Sequence, residues 1–228
     1  MMQPSVSVLA SRLAETFPGG LAGLIFDCDG VMVDSCRVNI AYYDLLLREV
    51  GRPPVSEAQA GYVQMSTAKE ALEYLFSPEE LKLLPAIAER FPYREVALPQ
   101  LELEPGLADT LEWLKGRGVR LAVHTNRGGG MWDLLDRFGL RAAFDPVMTA
   151  ENVAPKPSPE GVHRILEYWN LPPASVGFLG DSATDAAAAR GGGVPLLAYG
   201  NPRLDAAVHI DSFPLLREAL ERVPGVGR

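Results

Sequence analysis

Two carboxylates two residues apart mark where this chain could do chemistry. Asp27 and Asp29 stand in Asp27-Cys28-Asp29-Gly30-Val31-Met32-Val33-Asp34-Ser35, directly after the apolar run 21–26. That run is long enough for a buried strand, and Gly19-Gly20 bound it in front. Alternate residues of an extended chain point to the same side. Asp27 and Asp29 therefore crowd one another unless a cation sits nearby or one of them keeps a proton. Gly30 permits a sharp turn after them. A carboxylate can attack phosphorus as a nucleophile while a second one moves the proton.

Three more polar stretches follow apolar runs and can serve the same chemistry. They are Thr125-Asn126, Lys156 within Ala154-Pro155-Lys156-Pro157, and Asp181-Ser182-Ala183-Thr184-Asp185. Taken singly, each has a plain structural reading: a turn, a solvated loop lysine, a helix N-cap. Taken together they suit phosphoryl transfer. A phosphate monoester and a carboxylate nucleophile repel each other, and Mg²⁺ with oxygen ligands offsets that repulsion. Such a reaction depends on positioning and charge stabilisation, which one lysine and one hydroxyl can supply. The prolines on both sides of Lys156 stiffen the segment that delivers its ammonium. Asp29, with its side chain off the metal, can keep a proton near neutral pH.

The elements that must position these residues follow from periodicity. A leading helix is expected over 4–17, then the first strand, then a helix from Ser35 to about Val50. The pattern stays helical from 56 to 90, with Ser77-Pro78 reading as an N-cap followed by proline at the first helical position. After Pro99 the pattern changes to alternation. Strands are expected over 119–124, 144–148, 176–180, 194–198 and, more weakly, 207–210, with helices between them and a last helix over 215–223. Such alternation means a parallel sheet with helices on both faces, an α/β Rossmann-like core. The helical block is too long for a crossover, so it is expected to be an inserted all-helical cap over the carboxyl edge of the sheet, where ligands bind in such folds. The expected division is 1–36 and 100–228 for the core and 37–99 for the cap.

Composition narrows the classes. The 228 residues are 47% hydrophobic and 22% charged, which allows a sizeable core. The formal net charge of -8 gives no basic footprint for nucleic acid. The two cysteines, Cys28 and Cys36, form no framework, and a reduced cytoplasmic setting fits. No signal peptide is read at the N-terminus and no run reaches membrane-spanning length. Cys28 and His124 are expected to pack rather than react, and Gly128-Gly129-Gly130 to lead flexibly into a helix.

The four motifs, in this order and after expected strands, resemble the haloacid dehalogenase superfamily over nearly the whole chain. The resemblance is greatest to the helical-cap branch that includes phosphoglycolate-phosphatase-like and beta-phosphoglucomutase-like enzymes. It implies that Asp27 is the nucleophile that forms an aspartyl-phosphate and that Asp29 is the general acid/base, whose backbone carbonyl also ligates Mg²⁺. It implies that Thr125, Asn126, Gly30 and Lys156 bind the phosphoryl group, with Lys156 also neutralising Asp27. Asp181 becomes a direct metal ligand and Asp185 a supporting one. Lys69 is the candidate cation reaching from the cap, against a plain solvated pairing with Glu73.

The expected function is a Mg²⁺-dependent phosphatase acting on a small phosphorylated metabolite. Two alternatives remain open, a sugar-phosphate mutase on the same core and a non-catalytic binding module that kept the fold. The retained Asp29 argues against metal-free dehalogenation and against phosphonate cleavage through a cap lysine.

Overall fold

The computed structural model describes residues 5–227; residues 1–4 and 228 of the expected core, including the first residue of the expected leading helix, lie outside the described residues. Helix α1 (Val6–Thr16) is capped by Ser5, whose hydroxyl accepts from the Val8 amide. It leads to strand β1 (Gly23–Phe26), which is buried along its whole length. β2 (Val33–Asp34) follows the acidic motif. Six helices come next: α2 (Cys36–Glu49), α3 (Glu57–Met65), α4 (Ala68–Leu75), α5 (Pro78–Leu81), α6 (Leu84–Arg90) and α7 (Tyr93–Val96). β3 (Glu102–Leu103) returns antiparallel to β2, so the helical insert leaves and re-enters the core through a two-stranded ribbon.

The insert is held by its own apolar cluster, formed by Leu46, Leu47, Val63, Ala71, Leu75, Phe76, Leu84 and Ile87. Its short helices begin where the sequence offers caps. Thr67 and Ser77 each accept from the amide three residues on, and Glu70 and Glu80 reach back in reciprocal capping boxes.

The core continues with α8 (Leu107–Gly116), β4 (Arg120–His124), α9 (Gly130–Arg137), β5 (Val147–Met148), α10 (Glu160–Trp169), β6 (Val176–Gly180), α11 (Ala183–Gly191), β7 (Leu196–Tyr199), β8 (Val208–Ile210) and α12 (Phe213–Leu220). Six strands form one parallel sheet in the order β5-β4-β1-β6-β7-β8. Side chains alternate between its faces. Leu24 and Phe26 join the cluster beneath α1, α8, α9 and α12, while Ile25 joins the one beneath α10 and α11. A sheet buried on both faces reads as continuous apolar sequence, which is why these strands were legible.

β1 is central. Strands are added to one side through β4 and to the other through β6, so the order of strands reverses at β1. Ligands of such sheets bind outside the carboxyl ends at this point. The register pairs Phe26 with Val123 and with Leu179. Asp27, Thr125 and Asp181 therefore emerge from the carboxyl ends of three adjacent strands.

Candidate active site

At that edge the polar side chains are buried. Asp27 and Lys156 are each 5% exposed, Thr125 1% and Asp185 0%. Lys156 Nζ lies 2.6 Å from Asp27 Oδ1 and 2.6 Å from Asp185 Oδ1. Burial disfavours the lysine's charge, but the carboxylates of Asp185 and Asp27 outweigh it and hold the ammonium protonated. Asp27 shows the opposite balance. Burial and the neighbouring Asp185 push its carboxyl well above the usual range, against the pull of Lys156.

Carboxylate oxygens of Asp27, Asp181 and Asp185 lie within 4.8 Å of one another. Burial first, then Asp185, raises Asp181 to about 7. Three carboxyl groups face one ammonium in a dry place, more acid than that one cation can offset. Hard oxygen donors with that excess suit a divalent cation of the Mg²⁺ type. Asp185 is the least free of the three. Its Oδ2 accepts from the amides of Asp181 and Ser182, and its Oδ1 from Lys156. It braces the start of α11 and aims Lys156, leaving Asp27 and Asp181 as the freer oxygen donors.

Gly180 and Gly30 permit this crowding. A Cβ on Gly180 would meet the Asp185 Cβ at 2.3 Å. A Cβ on Gly30, which has φ +77°, would meet Asp181 Oδ2 at 2.1 Å. Gly30, expected at the substrate, has a structural task in the loop. Its amide is spent on the Val33 carbonyl at 2.9 Å, and the residue lets the acidic loop lie against Asp181.

Asn126 is likewise turned to a different task. Its Oδ1 accepts from the Lys156 amide at 2.8 Å, and its Nδ2 donates to the carbonyls of Lys156 and Met65, each at 3.1 Å. The side chain expected on the substrate therefore clamps the Lys156 segment and touches the cap at the end of α3. That clamp replaces the direct strand-to-lysine step expected from sequence, because β5 ends at Met148 and a turn through 149–153 intervenes.

Lys69, expected to reach the site from the cap, stands away from this cluster. Its side chain is 82% exposed and its ammonium lies 3.8 Å from Glu73, one turn along α4. It faces solvent because α4 buries Ala71 and Leu75 instead. The cation beside Asp29 is Arg127, which sequence reasoning missed. Its Nε donates to Asp29 Oδ2 at 2.7 Å and its Nη2 to Asp29 Oδ1 at 2.6 Å. Burial raises the Asp29 carboxyl, but the Arg127 guanidinium outweighs it and holds the group below the usual carboxylate range. Sequence led to the expectation of a proton on Asp29 near neutral pH; the pairing with Arg127 favours its ionised form. The one sequence signal for Arg127 was its place directly after Thr125-Asn126.

Thr125 Oγ1 accepts from the Arg127 amide at 3.1 Å and keeps its own proton to donate. His124 points to the opposite face and packs edge-on to Phe178 at 5.9 Å. Burial and then Lys156 lower it to about 3, so it is neutral. Cys28 is buried, which pushes its thiol up and keeps it protonated. A cavity of about 490 Å³, lined by Tyr42, Leu45, Arg48, Arg52, Val96 and Gln100, lies in the cap and shares no residue with this cluster.

The model of the haloacid dehalogenase-like hydrolases matches residues 24–199, from β1 to the end of β7. The chain belongs to this family. A phosphoglycolate phosphatase of Pseudomonas putida is 30% identical over 213 residues, covering 83% of this chain and 74% of that protein. One from Caulobacter vibrioides is 30% identical over 197 residues, covering 78% and 80%. These relatives place the chain among the phosphoric monoester hydrolases of the haloacid dehalogenase-like family. A subfamily IA hydrolase of that superfamily from Geobacter sulfurreducens superposes with a TM-score of 0.73 at 37% identity, covering 89% of this chain and 98% of that one. CbbY from Rhodobacter sphaeroides superposes with a TM-score of 0.71 at 24% identity and shares the fold. Among the described residues no helix is long and apolar enough to cross a membrane.

Proposed function

We propose that this hydrolase is a Mg²⁺-dependent phosphatase of small phosphorylated acids, among which 2-phosphoglycolate is the first to test, and that it works through an aspartyl-phosphate on Asp27. The observation that carries this reading is the buried contact of Asp27 with Lys156, beside Asp181. A nucleophilic carboxylate needs its charge available yet offset; a buried ammonium 2.6 Å away pulls in that direction, and a dication at the same acids would supply the rest. Lys156 then faces the transferring phosphoryl group, held on aim by Asp185 and by the Asn126 clamp. The Thr125 hydroxyl donates to a phosphoryl oxygen.

Asp27, Asp181 and Asp185 would hold the dication, with Asp185 chiefly as a brace. When bound, it offsets the repulsion between the ester and the attacking carboxylate. Asp29 serves as the general acid/base. Ionised in its pair with Arg127, it takes a proton from the attacking water in the second half of the reaction, and that proton is the one it gives to the leaving oxygen of the next ester.

The test is release of inorganic phosphate from a panel of phosphorylated metabolites, with Mg²⁺ and with EDTA. Turnover should need the metal and should include 2-phosphoglycolate. Full turnover in EDTA would remove the metal from the mechanism, and no release from any ester would reject the phosphatase reading.

A further inference from the structure

Asp29 belongs to a closed ring of four side chains. Arg127 grips both oxygens of Asp29, Arg127 Nη1 donates to the Tyr93 hydroxyl at 3.3 Å, Tyr93 donates to Asn39 Oδ1 at 2.7 Å, and Asn39 Nδ2 donates back to Asp29 Oδ1 at 3.2 Å. Asp29 and Arg127 come from loops at the carboxyl edge of the sheet. Asn39 sits on α2 and Tyr93 on α7, both in the cap. The guanidinium also lies over the Tyr93 ring at 5.7 Å.

A guanidinium carries five N–H donors. Three of those on Arg127 are spent in the ring, which leaves two without an acceptor among the described residues. Its side chain is only 11% exposed. A latch that merely held the cap down would not need a permanent charge with idle donors in so dry a place, since burying it is costly. The other cations near the site are committed elsewhere, Lys156 to two carboxylates and Lys69 to solvent.

The geometry points to Arg127 as the residue that reads the leaving group, taking a carboxylate borne on the carbon next to the ester oxygen. This rests on the phosphatase reading, in which Asp29 exchanges a proton with that ester oxygen. With the ester oxygen at Asp29, a carboxylate carbon two bonds away would be brought toward the guanidinium that Asp29 holds. One idle N–H on Nη1 and one on Nη2 remain for a carboxylate, the group a guanidinium pairs with best. An ester with a neutral alcohol leaves them unpaired, and a site built to bond a group rejects analogues that lack it. Tyr93 and Asn39 hold the guanidinium in place from the cap side, so the leaving group is read where the cap meets the core.

The experiment compares the specificity constants, kcat/KM, of two esters, 2-phosphoglycolate and ethyl phosphate, which differ by a carboxylate in place of a methyl group. The parent enzyme should favour 2-phosphoglycolate by at least about tenfold, the scale of one hydrogen bond to a charged group. Arg127→Gln should collapse that ratio towards one, mainly by raising KM for the carboxylate-bearing ester, and Arg127→Lys should keep part of it. A purely structural ring would lower both substrates by the same factor and leave the ratio, which overturns the inference. Equal use of the two esters by the parent also overturns it and leaves the phosphatase reading standing; hydrolysis of no ester overturns both. Product inhibition reads the same contact without any variant. Glycolate should inhibit the parent at a concentration at least about tenfold below that of glycolamide, and equal inhibition would sink the proposal.

Discussion

Asp27 and Asp29 are two residues apart yet live in opposite electrostatic settings. Asp27 is raised by burial and by Asp185, and Asp29 is lowered by Arg127. On the proposed reading the two acids therefore fail differently when altered. Asp27→Asn should form no phosphoryl-enzyme, since an amide is a poor nucleophile; trapping a covalent phosphate on that variant would reject the assignment. Asp29→Asn should lose turnover by roughly 10²–10⁴-fold, the scale of a missing general acid/base, while metal still raises its melting temperature. Parent-like turnover would remove Asp29 from the chemistry. Asp27, Thr125 and Asp181 were legible because each ends an apolar run, and the end of a buried strand has few places to go. Arg127, Tyr93 and Asn39 were not, because their contacts span 98, 34 and 54 positions of sequence and no local pattern encodes them. Lys69 was legible only as its plainer reading, a solvated pair with Glu73 one turn along the helix.

Whole strands and helices were easier to read than single contacts. The parallel strands are buried on both faces and the helices carry apolar stripes, so periodicity found them. The β2–β3 ribbon escaped because two residues per strand show no period. We propose the ribbon as the hinge of the cap, since it closes the insert two residues before α2 begins, whereas a boundary after residue 36 would cut the first turn of that helix. The start of α11 is the element on which Lys156 depends. Ser182 Oγ accepts from the Asp185 amide at 3.2 Å, and Asp185 in turn accepts from the Ser182 amide at 3.0 Å. Ser182→Ala removes one arm of this capping box and should cost about 1 kcal/mol, or roughly 2–4 °C of melting temperature in a chain of this size. Turnover should fall as well, since Asp185 aims Lys156. An unchanged melting temperature and unchanged turnover would show that the box does not support the site.

The whole molecule carries a formal charge of -8, and its most crowded acids sit at the carboxyl edge of the sheet. That crowding makes stability depend on pH and on metal in a definite direction. Asp181 rises from 3.8 in an exposed chain to about 7 when folded, with burial the largest cause, and Asp27 is raised as well. Between about pH 4 and pH 7 the folded chain therefore holds protons that the unfolded chain has released. Stability falls with rising pH wherever the folded state binds more protons. His124, lowered from 6.5 to about 3, works in the other direction up to about pH 6.5 but offsets only one of the two raised acids, and the Asp29–Arg127 pair, also opposed, has its loss below this window. In EDTA the melting temperature should thus decline from pH 5 to pH 7.5. Mg²⁺ competes with the same protons, so its stabilising shift should be larger at pH 7.5 than at pH 5. Asp181→Asn should flatten the slope in EDTA and remove most of the Mg²⁺ shift. A melting temperature in EDTA that rises across this window, or a metal shift that is larger at pH 5, would contradict the charge balance argued for this site.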